Sequence, residues 1–148
     1  IGVLKLISNS NTLKMKSQLS LKKVIDMVRE FMDTYQLKYF KKPKADIGLK
    51  THQLRFELMK EENQEYLEAT KNGDVVEVAD ALGDMLYILC GTILAHGMQD
   101  KIEEVFTEIQ RSNMSKLGKN GKPIYREDGK VLKGPHYSEP DLKEILTR

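Results

Sequence analysis

Six carboxylates stand at helical spacing in one short stretch of this chain. Glu61, Glu62 and Glu65 lie in "EENQE", and Glu77, Asp80 and Asp84 follow in "EVADALGD". An α-helix turns about 100° per residue, so acids three and four apart share a face. By the same arithmetic Glu77, Asp80 and Asp84 fall within an arc of about 60°. Such a cluster repels itself: two carboxylates ~5 Å apart cost ~3 kcal/mol at an effective dielectric near 20. No lysine or arginine occurs between Lys71 and Lys101, so the second group has no local counter-charge. A hard divalent cation is the economical compensation. Oxygen-only ligands favour Mg²⁺, Mn²⁺ or Ca²⁺ over zinc, and Mg²⁺ commonly shares its shell with substrate phosphates. The competing readings are a solvated acidic stripe paired with Lys and Arg of other helices, and an acidic face that docks a basic partner without turnover.

These acids need two neighbouring helices to converge. Leu54, Leu58, Tyr66 and Ala69 mark one face of a helix from Leu49 to about Thr70, which "KNGD" stops at Gly73. Asp74 suits the N-cap of the next helix, Val75 to about His96. The link is short, so the two helices should lie antiparallel with their acids facing. The later helix is apolar almost all round, which predicts burial on most sides or a membrane span. Its length suits a bilayer, but three acids in its first half argue for the centre of a soluble bundle.

Around this pair, Ser20 caps a helix with Leu21, Val24, Ile25, Val28, Phe31, Met32 and Tyr35 at three- and four-residue steps. A fourth helix runs from Gln99 to about Lys116, and a short last one follows Ser138. Between them "KPIY", a turn at "REDG" and "KVLK" read as a small β-hairpin, which must dock elsewhere to be stable. The expected fold is all-α: four to five helices with a small C-terminal hairpin arm. Residues 1–19 are expected to be a loosely ordered tail, 20–117 the helical core, and 118–148 the arm and final helix.

Charge is distributed unevenly. Glu57–Asp84 carries nine acids and two lysines, whereas Arg111–Gly134 carries seven basic residues and two acids. The basic stretch is a natural complement for phosphates, with Lys116, Lys130 and Lys133 as contacts and Asn113 as a hydrogen-bond donor. Arg55 can serve the same end, and Tyr87 can stack on a base. For each, an ordinary surface or core role is the alternative. His52, His96 and His136 show no ligand spacing, and "GKNGKP" lacks the context of a P-loop. Nothing matches a nucleic-acid-binding module. The lone cysteine, Cys90, reads as a buried thiol and fits a reducing, cytoplasmic setting.

The spacing E-E-x-x-E, eleven residues, E-x-x-D resembles the signature of the all-α NTP pyrophosphatases, the MazG-like and phosphoribosyl-ATP pyrophosphohydrolase-like superfamily. "ALGDMLYILCGTILAHG" is similar to that family's third helix, and the resemblance spans Leu21 to Lys116. "NMSKLGKNGKPIYREDGKVLKGPHY" resembles a C-terminal arm of one branch. The resemblance implies Mg²⁺-dependent cleavage of a nucleoside triphosphate to monophosphate and pyrophosphate, with phosphoribosyl-ATP as the alternative substrate. By motif position Glu62, Glu65, Glu77 and Asp80 would hold the metal, with Mn²⁺ as a substitute. Glu61 would orient or deprotonate the attacking water, and Asp84 would be a fifth ligand or an acid behind the ligands. A homodimer or dimer of dimers, burying the apolar helix, is the expected assembly. Neither membrane nor nucleic acid is expected as a partner.

Overall fold

The computed structural model of this chain describes residues 18–148. The expected N-terminal tail therefore falls, apart from its last two residues, outside the described residues. Five helices follow in order: α1 (Leu21–Thr34), α2 (Leu49–Asn72), α3 (Val75–Ala95), α4 (Ile102–Met114) and α5 (Leu142–Thr147). All the expected helices form, with ends shifted by a few residues.

α1 starts where the Ser20 hydroxyl accepts from the Lys23 amide at 3.3 Å, satisfying one of the free donors of the first turn. Its inward face is Ile25, Val28 and Met32, packed against Cys90, Ile93 and Leu94 near the end of α3. Cys90 and Leu94 are fully enclosed; burying a side chain such as leucine stabilises by about 1.5–3 kcal/mol. Desolvation pushes the Cys90 thiol above its ordinary pKa, as befits a packing residue rather than a nucleophile.

The segment between α1 and α2 straps the C-terminal end of α3. The Phe40 amide donates to the Leu94 carbonyl at 3.2 Å and the Lys44 amide to the His96 carbonyl at 2.9 Å. Gln99 adds a bond from Nε2 to the Phe40 carbonyl at 2.9 Å. Gly97 is required twice in this junction. Its φ is +67°, and a Cβ there would collide with the Lys42 backbone.

α2 and α3 pack along one another, and α1 packs on α3. Gly73 ends α2 in the left-handed region, and the Asp74 carboxylate accepts from the Val76 and Glu77 amides at 3.0 and 3.1 Å. The reversal is thus written in two adjacent residues.

Two expectations change. α3 is not buried on most sides: within it only Ala81, Cys90, Gly91, Ile93, Leu94 and Ala95 are buried. Leu82, Leu86 and Leu89 keep 44–49% of their surface exposed. Two flanking helices and a strap cannot cover a cylinder that is apolar all round. The arm also contains no strand, only an isolated antiparallel bridge between Tyr125 and Val131. Pro123 removes a donor from a segment already too short for a ladder, and all ten residues from 121 to 130 are exposed.

The C-terminal arm is fastened to α4 instead. Arg111 donates through Nε and one terminal nitrogen to both oxygens of Glu108, at 2.8 and 2.7 Å. It also reaches the Ser138 hydroxyl and the Glu139 carbonyl. Glu108 Oε1 accepts the Asp141 amide at 2.8 Å, capping α5 from outside. The Arg111 guanidinium, then this amide, hold the Glu108 carboxyl down to about 2.

Candidate active site

Glu62 is the centre of the acidic cluster. It lies on the side of α2 that meets α3, and Glu61 and Glu65 flank it toward solvent. Its Oε2 is buried and has no hydrogen-bond partner among the described residues. Burial is the largest cause raising its pKa, followed by the charges of Glu65, Asp84, Asp80 and Glu61 in that order. Carboxylates of both helices therefore act on a group with one oxygen that no described residue satisfies. Like charge from both helices thus bears on Glu62, after burial, in the direction that the spacing anticipates.

Glu77 stands apart from this group. Together with Glu65, Glu68, Asn72 and Asp74 it lines a cleft of about 380 Å³ toward the α2–α3 turn. Glu65 borders both regions. Glu68 was not singled out from the sequence, although its position one turn after Glu65 is a usable signal. Among the described residues, no three His, Cys, Asp or Glu side chains are close enough together to hold a metal ion as they stand. The donor set nonetheless suits a hard cation: all-oxygen, anionic, with one oxygen desolvated and unpaired.

Arg55, two turns before Glu62, is clamped onto α3. Its Nε donates to Thr92 Oγ1 at 3.0 Å and a terminal nitrogen to the Ile88 carbonyl at 2.7 Å. A Cβ at position 91 would lie 2.6 Å from that nitrogen, so Gly91 makes room for the guanidinium. Desolvation lowers its pKa, and no carboxylate pairs with it among the described residues.

Tyr87 is not enclosed in the core. It meets Phe31 of α1 edge-on, with centroids 5.5 Å apart at 89°. Asn113, Lys116, Lys130 and Lys133 lie elsewhere, on the end of α4 and on the arm. The Lys133 ammonium sits 4.4 Å over the Tyr137 ring, and the Lys116 carbonyl accepts the Gly134 amide at 2.9 Å. The helix contacts group α2 with α3 and α4 with α5, so the basic residues belong to a different part of the chain from the acids.

A family model described as phosphoribosyl-ATP pyrophosphohydrolase matches residues 28–113, well over half of the 148 residues. That span runs from the middle of α1 to the last turn of α4 and contains every acid of the cluster. A comparison with curated proteins finds no match. The helical architecture, the facing carboxylates and the matched span agree, and the chain belongs to the phosphoribosyl-ATP pyrophosphohydrolase family of the MazG-like all-α NTP pyrophosphatase superfamily, hydrolases acting on phosphoanhydride bonds.

Proposed function

We propose that the chain cleaves a nucleoside triphosphate to monophosphate and pyrophosphate, with Mg²⁺ as cofactor and Mn²⁺ as a substitute. The observation that carries this reading is the unpartnered, buried oxygen of Glu62 amid Glu61, Glu65, Asp80 and Asp84. In a pyrophosphohydrolase this is where cations and phosphates are needed. Glu62, Glu65, Asp80 and Asp84 would hold the metal, with Glu77 joining from the neighbouring cleft. When bound, such ions neutralise phosphate charge and acidify water.

The chain's own work is positioning. Glu61, exposed beside the cluster, orients the attacking water and accepts its proton. The water oxygen bonds to phosphorus as the anhydride P–O bond breaks, and pyrophosphate leaves. Phosphoryl transfer needs alignment and charge compensation more than covalent catalysis. Arg55 keeps donors on its second terminal nitrogen for a phosphate oxygen.

We further propose that the active form is a homodimer, or a dimer of dimers, in a cytoplasmic setting. Leu82, Leu86 and Leu89 lie roughly 180–240° around α3 from Asp80, so burying them against a second copy leaves the acids open. In that assembly Asn113, Lys116, Lys130 and Lys133 of one copy meet substrate phosphates at the other copy's acids. Phosphoribosyl-ATP is the second reading, favoured by the matched family's description.

The test is pyrophosphate release from a panel of ribo- and deoxyribonucleoside triphosphates and phosphoribosyl-ATP, in Mg²⁺ and in EDTA. Metal-dependent release that is lost in Glu62→Gln and Asp80→Asn is expected. No release from any of these by folded protein would leave only an acidic docking surface.

A further inference from the structure

The face of α3 that carries the acids also carries an aromatic cluster. Taking Asp80 as zero, Asp84 lies at about +40° and Tyr87 at about −20° around the helix. Cys90 and Leu94, which meet α1, lie near −80° and −40°, and Ile88 and Thr92, which meet α2, near +80° and +120°. Asp80, Asp84 and Tyr87 therefore occupy the strip between the two flanking helices, with Tyr87 ~10 Å along the axis from Asp80.

On the α1 side of that strip Phe31 holds two rings together. It contacts Tyr87 in a T and Tyr35 in a tilted pair, with centroids 4.5 Å apart. The three side chains keep 41–63% of their surface exposed. In a T-shaped pair one ring presents only its edge, so its partner does not cover its faces. The hydroxyls of Tyr35 and Tyr87 make no hydrogen bond among the described residues. Exposed rings with uncommitted polar tips are poor packing material and good recognition material.

We propose that Phe31, Tyr35 and Tyr87 form the platform on which the nucleobase of the substrate stacks, at one end of the strip of α3 whose other end holds the carboxylates. This rests on the pyrophosphohydrolase reading above and fixes the substrate's direction: base toward the C-terminal end of α1, phosphates toward Glu62, Asp80 and Asp84. The ligand class is a nucleotide with an intact, unsaturated base. Stacking gives affinity with little sequence preference, and the two hydroxyls read the edge of the base.

The test compares nucleoside triphosphates with inorganic tripolyphosphate, which carries the phosphates and no base, used as a substrate or as a competitive inhibitor. Tyr87→Ala should raise KM for the preferred triphosphate by ~10-fold or more, with kcat changed far less. The inhibition constant or KM for tripolyphosphate should move by a much smaller factor. Tyr87→Phe should keep most of the affinity and blur discrimination between bases. Tyr35→Ala, at the most exposed ring, guards against a folding defect at the other two. The chain has no tryptophan, so tyrosine fluorescence of the wild type should be quenched by a nucleoside monophosphate in EDTA, where no turnover complicates the reading. Equal shifts for tripolyphosphate and nucleotide, or wild-type KM and quenching in Tyr87→Ala, would reduce the cluster to helix packing and leave the enzyme reading intact. Absence of hydrolysis in the wild type would strike the enzyme reading itself, while the quenching experiment still decides the platform.

Discussion

Replacing Glu62 with glutamine should improve the fold and ruin the enzyme. In the metal-free protein the Glu62 carboxylate has one buried, unpaired oxygen and four acidic neighbours. An unsatisfied buried polar atom costs about 1–3 kcal/mol, and partial solvent access keeps the like-charge term toward the lower end of the Coulomb range. Glutamine keeps the shape, removes the charge and offers an amide donor to the remaining carboxylates. A net gain of about 1 kcal/mol is expected, which for a chain of this size is ~2–4 °C in Tm. Divalent cation should reverse the order. At a hundredfold excess over its Kd, an ion bound only to the folded state adds ~2.7 kcal/mol, and the variant should lose most of that. Thermal unfolding of both proteins in EDTA and in saturating Mg²⁺, followed by circular dichroism, reads the crossing directly. Pyrophosphate release should fall at least ~10²-fold, the upper end of what removing even a group that merely supports a ligand costs. A variant that melts below the wild type in EDTA, or equal Mg²⁺ shifts in the two proteins, would refute this role for Glu62.

Three other outcomes follow from the geometry. Gly97→Ala combines a left-handed backbone with a collision against the Lys42 carbonyl, and should cost at least ~1–3 kcal/mol in urea unfolding. Glu108 is held near 2 in the folded chain, against an ordinary glutamate value of 4.5. Its contribution is therefore complete above the unfolded value and drains away as pH falls from about 4.5 to about 2. Limited proteolysis of the arm should accelerate across that window, and Glu108→Gln should show the acid-form susceptibility already at neutral pH. Leu86→Lys, on the exposed stripe of α3, should leave the monomer folded and shift sedimentation velocity toward the smaller species; an unchanged distribution would move the interface elsewhere.

What the sequence disclosed was local in origin. The α2–α3 reversal is legible because a glycine stop and an aspartate cap are neighbours, and the facing acids follow from helical period alone. The exposure of α3 was not legible. Apolarity records how strongly a surface avoids water, and it does not say how many neighbours are available to cover it. The arm alternated like two strands, but Pro123 and the shortness of each segment left one bridge. The i, i+3 pairing of Glu108 with Arg111 can be read locally, whereas its capping of Asp141, 33 residues away, depends on how the chain returns. Arg55 likewise looked like a free cation because Thr92 and Ile88 lie on another helix. Phe31 and Tyr35 matched an ordinary apolar face, and only their encounter with Tyr87 sets them apart.

The seat of Arg55 against Gly91 constrains how this protein can change over time. A side chain at 91 would push the far end of Arg55 off its two acceptors on α3 rather than strike immovable backbone. Alanine at 91 and loss of the arginine therefore disturb the same seat, and the two changes together should cost less than the sum of each alone.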